Sequence, residues 1–290
     1  MTFSAINTYN KDNRISLDKV YSQLSKLNKK LWDKEIIFIE ADDNYLLQVL
    51  GFRTKKKGKA LYLIAGIHGE EPAGVNAISK NIFFLNKLAR KIPIVLIPIA
   101  NPKGYRRNWR YPNQKRYSKK RQYFSIGDSE PFLIKGKKKK ISNQARLMNQ
   151  FIINSIKTHP PVLSLDFHED ESKTGAYIFS HGKLGAKDPI AIKIVKILKK
   201  KKFKFYNKSK TRFKEPIING IVEYPQDNSI DELLSSKKII VNNRKVPGPN
   251  SKSVIVIETN TIGIPLKKRV EAHSKILKQS KKFYNQSKHI

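Results

Sequence analysis

Cysteine is absent from this 290-residue chain. That excludes a disulfide framework and thiolate metal ligation, so any metal has to be held by His, Asp or Glu. Long apolar runs are missing too: a stretch such as 254–257 is far too short to cross a bilayer, and a soluble protein without a membrane span is expected. Residues 1–10 lack a basic segment followed by an apolar one, so the expected location is cytoplasmic. No internal repeat and no long Pro/Gly/Ser linker divides the chain. A single domain over 1–290 is expected, with 1–58 as a lead-in helix and strands, 59–262 as the core that carries the chemistry, and 263–290 as a closing helix.

Acidic residues are scarce, with 23 Asp and Glu against 59 Lys and Arg, which leaves a formal charge of +36. Such a balance raises the question of nucleic acid. The lysines, however, are scattered through every segment, with only short runs at 55–57, 137–140 and 199–202, as a solvated surface would have. The charge can still steer acidic substrates, an effect that salt weakens. A hydrophobic content of 39% excludes wholesale disorder.

Apolar positions Ile15, Val20, Leu24 and Leu27 suggest a helical start, and 35–40 and 45–52 read as paired strands about the turn Asp42-Asp43-Asn44. Residues 60–65 form a nearly uninterrupted apolar run, as in a strand buried on both faces, and a helix is expected over 73–90 behind Pro72. Further buried strands are expected at 92–100, 161–167 and 254–257, with helices from Ser142 to Lys157, over 189–202 and over 269–286. The segment 101–132 reads as one long basic, aromatic loop and 203–251 as irregular. The pattern specifies an α/β three-layer sandwich with a mixed, largely parallel central sheet flanked by helices.

Three apolar strands end on polar groups: His68 with Glu71, His168, and Glu258. The carboxyl edge of an open α/β sheet is where sites are built. Two of only six histidines stand at these ends, while His159, His273 and His289 fall at helix or terminal positions that need no special role. His68 and Glu71 lie three residues apart at a tight turn, so both can point at one ion; the same spacing also fits a turn with a capping carboxylate. Glu70 and Glu169 are expected to face solvent. Asp166 is a candidate either to orient a ligating imidazole or to cap its strand.

From about Ala60 to Thr261 the chain resembles the M14 metallocarboxypeptidases and their relatives, the succinylglutamate desuccinylase and aspartoacylase deacylases. The resemblance rests on Gly-Ile-His-Gly-Glu-Glu at 66–71, Asn101-Pro102-Lys103-Gly104-Tyr105, Asn108-Trp109-Arg110, Asp166-Phe167-His168-Glu169 and Ile257-Glu258-Thr259. It implies one Zn2+ per chain on His68, Glu71 and His168, with Glu258 as general base and Arg110 stabilising an oxyanion. Arg106, Arg107 and Asn108 are next as substrate-binding candidates, with Tyr177 and Tyr224 as pocket aromatics. Many relatives grip a terminal carboxylate with Asp-x-Asn-Arg, where this chain has Ser125-Ile126-Gly127-Asp128-Ser129-Glu130; Arg107, Arg116 or Arg121 are the replacements available. The expected activity is hydrolysis of a peptide amide, with an N-acyl amino acid as the alternative substrate. A nucleic-acid-binding protein with a vestigial site, built on the Tyr/Trp/Arg loop 105–123, is the third reading.

Overall fold

Alternation of side chains across extended backbone decides the architecture. The structure, a computed structural model, describes residues 12–116, 142–171, 175–223, 225 and 227–290. Helix α1 (Leu17–Leu24) leads into a ribbon of β1 (Trp32–Asp42) and β2 (Tyr45–Thr54). Next come β3 (Ala60–Ala65), α2 (Pro72–Lys80), α3 (Ile82–Ala89) and β4 (Ile94–Ile97). Helices α4 (Pro102–Arg107) and α5 (Asn143–Thr158) precede β5 (Pro161–Asp170) and β6 (Tyr177–Ser180). After α6 (Pro189–Lys200) come three short strands, β7 (Lys208–Lys210), β8 (Pro216–Ile218) and β9 (Ile221–Glu223). Helix α7 (Ile230–Ser235), the hairpin β10 (Lys238–Val241) with β11 (Arg244–Pro247), β12 (Ser253–Asn260) and α8 (Leu266–Ser287) complete the chain.

In β3, Leu61, Leu63 and Ala65 join the apolar cluster that contains residues of α1, α2, α3, α6 and α8. Tyr62 and Ile64 belong to a second cluster with Met148, Phe151 and Ile152 of α5 and Leu233 and Leu234 of α7. Both faces of the sheet are therefore covered by helices, as the doubly apolar run implied. Ten strands pair in the order β1-β2-β4-β3-β5-β12-β6-β9-β8-β7. The central strands β4, β3, β5 and β12 run parallel, whereas the β1-β2 and β7-β8 edges are antiparallel.

Several elements differ from their expected spans. The helix expected over 73–90 is broken at Asn81, whose Nδ2 donates to Ala77 O at 2.7 Å and to Ser274 Oγ at 3.1 Å. A side-chain amide that bonds backbone in this way competes with the helical ladder. Pro93 and Pro98 flank β4, and it is shorter than expected because neither can donate to a ladder. Part of the basic loop is helical: Asn101 Oδ1 accepts from Gly104 N at 2.8 Å and caps α4. The segment read as irregular contains β7, β8, β9, α7 and the β10-β11 hairpin, elements too short for periodicity to reveal.

Register then assembles the site. His168 of β5 pairs with Glu258 of β12, and Glu258 pairs in turn with Tyr177 of β6, so three polar residues stand side by side across three strands. Leu163, Leu165 and Phe167 of β5 belong to the first cluster, so its alternate positions Ser164, Asp166 and His168 turn to the face covered by α5 and α7.

Gly74 of α2 lies against β5 where His168 begins. A Cβ at Gly74 would meet Phe167 Cβ at 2.6 Å and Phe167 O at 2.8 Å. Helix propensity favours alanine there by about 1 kcal/mol, but overpacking costs about 1–3 kcal/mol. Gly74→Ala is therefore expected to lower the Tm by up to roughly 8 °C in thermal unfolding; a raised Tm would show that helix propensity prevails.

Candidate metal centre and active site

β3 ends at Ala65, and Gly66, at φ +70°, turns the chain so that His68 and Glu71 return over the sheet edge. Glu71 stands at the N-cap of α2 but makes no side-chain capping bond, which removes the capping explanation of the His-x-x-Glu spacing. Instead its Oε1 lies 2.8 Å from His68 Nδ1 and its Oε2 2.8 Å from His168 Nδ1. The two Nδ1 atoms are 3.2 Å apart. One ligand atom from each of His68, Glu71 and His168 falls within 4.8 Å of the others, and all three residues are buried. Two imidazoles and a carboxylate, with one side left open, fit a catalytic zinc ion by ligand type and number. This is the one such group among the described residues.

The ligand turn is held from behind. Arg14, with no exposed side-chain surface, donates to Gly69 O at 2.9 Å, Tyr105 O at 2.6 Å and Asn108 Oδ1 at 2.7 Å. A Cβ at Gly69 would lie 1.9 Å from the Gly104 carbonyl carbon, so only glycine lets the turn rest directly on α4. Glu169 corrects an expectation. It does not face solvent but is 3% exposed, accepts from Ala73 N at 2.7 Å at the start of α2, and pairs with Arg269. A carboxylate at a helix N-terminus with an arginine partner is a structural tie between β5, α2 and α8. Glu70 likewise is only partly exposed and pairs with Arg110 at 3.3 Å.

Burial is the largest influence on both Glu71 and Glu258. It would raise Glu71, but the adjacent His68 and His168 imidazoles hold that carboxyl well below its ordinary value. Glu258 has no such pairing: burial, reinforced by the charges of Glu71 and Asp170, pushes it well above. Its Oε2 has no hydrogen-bond partner among the described residues. His168 is pulled the other way, because Asp166 and Glu71 outweigh the effect of burial and raise it. Asp166 Oδ2 lies 3.2 Å from His168 Nε2, although off the direction of a good hydrogen bond.

The structure sorts the other expected residues. Arg110 Nη1 donates to Glu71 Oε1 at 3.1 Å and lines the cavity that holds His68, His168 and Glu258. Tyr177 lines the same cavity and donates to Asp170 Oδ2 at 2.7 Å. Asn108 lines a neighbouring cavity on the Glu71 side. Arg106 and Arg107 do not reach either space. Arg106 pairs with Asp42 at 2.6 Å and stacks on Tyr45, while Arg107 pairs with Asp43 at 2.6 Å and stacks on Trp109, so both fasten α4 to the β1-β2 turn. With those cations engaged, the described part of the aromatic loop offers little to a nucleic acid. Tyr224, Arg121 and the segment 125–130 lie outside the described residues. Arg116 is largely exposed, 3.9 Å from Glu171.

Arg212, Asp227 and Asp231 also line the central cavity, of about 310 Å³, and were not anticipated. Arg212 follows the short strand β7, and nothing local marks it among 59 basic residues. Asp231 sits in the first turn of α7, where an acidic residue is ordinary. Asp166 had a readable signal: Ser164, Asp166, His168 and Asp170 make every second position of a buried strand polar.

No helix among the described residues is long and apolar enough to cross a membrane. Residues 57–196 match the model of the Succinylglutamate desuccinylase/Aspartoacylase catalytic domain. A Shewanella baltica protein described as a metallopeptidase aligns at 18% identity over 98% of this chain and 99% of its own, with a TM-score of 0.70. Bovine thrombin-activatable fibrinolysis inhibitor aligns at 13% identity over 96% and 99%, with a TM-score of 0.62. Carboxypeptidase A from Helicoverpa armigera does so at 13% identity over 95% and 74%, with a TM-score of 0.60. No curated protein sequence matches the chain significantly. The fold is that of the metallocarboxypeptidases. The catalytic-domain match makes the chain similar, over residues 57–196, to the desuccinylase and aspartoacylase deacylases.

His273 of α8, assigned no role from sequence, packs edge-on against Phe167 at 5.4 Å, and its Nε2 lies 2.9 Å from Thr259 Oγ1. Burial, helped by Arg269 and His168, pushes its pKa down to about 3. Between about pH 6.5 and that value only the unfolded chain binds the proton, so stability falls as pH drops through this window. Replacing His273 by Gln is expected to flatten the decline between pH 6.5 and 4 by up to about 1.4 kcal/mol per pH unit in urea unfolding. An unchanged slope would show that His273 is not the acid-sensitive group.

Proposed function

We propose that this chain is a zinc-dependent hydrolase of an amide bond, acting on a peptide or peptide-like substrate in the manner of a carboxypeptidase. The observation that carries the reading is the register match of Glu258 with His168 beside the cluster of His68, Glu71 and His168. A divalent ion such as zinc, bound by those three residues, supplies a Lewis acid that lowers the pKa of water towards about 7 and draws the Glu258 carboxyl back towards its ordinary value.

The chain's own residues do the rest. Glu258, on the neighbouring strand, accepts a proton from the attacking water and delivers it to the departing amine nitrogen, a role open to a buried carboxyl whose Oε2 has no hydrogen-bond partner among the described residues. Arg110 is fixed by Glu71 and Glu70 with its guanidinium at the cavity wall, where it stabilises oxygen as negative charge develops. Asp166 holds the His168 ring by its far side. Arg212, which lines both cavities and is only loosely paired with Asp170 at 3.8 Å, takes the place of the missing arginine clamp as the grip on a terminal carboxylate.

The match to a deacylase catalytic domain favours one other reading, an N-acyl amino-acid deacylase using the same centre. Zinc-loaded protein assayed on C-terminally varied peptides and on succinylated and acetylated amino acids separates the two. On the better substrate, Glu258→Gln is expected to lower kcat by about 10²- to 10⁴-fold while zinc content stays at one per chain; undiminished kcat would remove Glu258 from the chemistry. Arg212→Ala is expected to raise KM by about tenfold or more with a smaller change in kcat. An unaltered KM would place the carboxylate elsewhere.

A further inference from the structure

Lysines that are scattered along the chain gather in space. Helices α2, α3, α6 and α8 lie on one face of the sheet, where their apolar residues share the first core cluster. Together they carry thirteen Lys and Arg, one each on α2 and α3, four on α6 and seven on α8, against a single acidic residue, Glu271. Helix α1, on the same side, adds Asp18 and Lys19. The helices of the opposite face, α5 and α7, carry two basic residues and two acidic ones. Of the thirteen only Arg269 is buried, and the others reach solvent. A chain-wide surplus of lysine would charge both layers alike, so the one-sided arrangement is a property of the fold.

The charge is also free to act outwards. A groove of about 510 Å³ along α2 and α8 is lined by Lys80, Lys201, Lys267, Lys275 and Lys278, with Glu271 as its one acidic group. Glu271 is taken by Lys201 at 3.6 Å, and the other four lysines have no ion-pair partner among the described residues. The same layer exposes two large apolar side chains: Phe83 of α3, 73% exposed beneath the Lys87 ammonium, and Ile192 of α6, 37% exposed. Helix α8, with 22 residues, is about 33 Å long. It packs against both α2 and α6, and packed helix axes lie about 8–10 Å apart. The result is a broad basic plane with apolar points. Such a plane meets a flat anionic surface over its whole area, whereas a nucleic-acid duplex touches it along one line. A single strand would call for a row of aromatic platforms, and Phe83 is the one exposed aromatic on these helices. Phe83 and Ile192 gain only where the partner offers an apolar phase next to its charges.

We propose that the layer formed by α2, α3, α6 and α8 is a docking surface for an anionic lipid bilayer. Its lysines attract the headgroups from within about a Debye length, and Phe83 and Ile192 enter the interface once the layer lies flat. Asp166 and His168 of β5 turn to the other face of the sheet, so docking leaves the central cavity clear. The inference does not depend on the hydrolase reading.

The test sediments the full chain with vesicles of phosphatidylcholine alone and of phosphatidylcholine with phosphatidylserine at about two to one, at low and at physiological salt. Binding is expected only where phosphatidylserine is present, and is expected to weaken as salt rises. Lys267→Gln, Lys275→Gln and Lys278→Gln together are expected to weaken partitioning by about 10²-fold. Lys157→Gln, Arg244→Gln and Lys245→Gln remove the same charge from exposed positions on α5 and β11, on the other side of the sheet. That second triple is expected to change partitioning by less than about threefold. Phe83→Ser, at an exposed site, is expected to weaken it by about threefold or more. Equal losses in the two triple variants would show that net charge alone acts, and would overturn the proposal, as would failure to sediment with the phosphatidylserine vesicles. A DNA duplex bound more tightly than the vesicles through Lys267, Lys275 and Lys278, and indifferent to Phe83, would assign this face to nucleic acid and overturn the proposal as well.

Discussion

Glu71 is the residue on which the sheet edge depends. One oxygen faces His68 and the other faces His168, which places the turn after β3 and the end of β5 around a single carboxylate. The charge is tolerable inside the protein because two imidazoles, the Arg110 guanidinium and the Glu169 backbone N–H all converge on it. Desolvation of an isolated carboxylate would otherwise cost several kcal/mol. The supports behind it follow from this: Arg14 and Gly69 set the turn on α4, and Glu169 with Arg269 ties α2 to β5 and α8. Most of the local construction fixes where Glu71 and the two imidazoles stand.

Parallel strand register does the remaining work. Once β3, β5 and β12 lie side by side, period-two alternation sends Asp166, His168 and Glu258 to one face, and α7 brings Asp231 to the same space. Three residues able to hold a metal ion, a carboxyl with raised proton affinity and an acidic cavity thus share one wall. Exposed lysines elsewhere set the net charge without entering this wall, so the surface and the site have opposite electrostatic characters. Long-range attraction of acidic molecules, read from composition alone, is a property of that surface and not of the cavity.

The parts legible in the sequence were those written in contiguous pattern. The apolar run at 60–65, the strand ending at His168 and the run before Glu258 each identified a central strand, and the residues closing them fall in one place. The ends and breaks were less legible, because single side chains decide them: Asn81 interrupts a helix, and Asn101 starts one inside an apparent loop. Roles that depend on a distant partner were misjudged for the same reason. Glu169 looked like a surface carboxylate because its partner, Arg269, lies a hundred residues away. Arg106 and Arg107 looked like substrate cations because their partners lie in the β1-β2 turn. Asp227, Asp231 and Arg212 come from short elements whose placement is tertiary.

Diffraction at the zinc absorption edge from crystals grown with zinc tests the account most directly. It predicts one strong anomalous peak per chain, coordinated by His68 Nδ1, a Glu71 oxygen and His168 Nδ1, with metal–ligand distances of about 2.0–2.2 Å and one position open towards Glu258. A chain without a peak at that cluster, or with its ion held by other residues, would contradict the central claim.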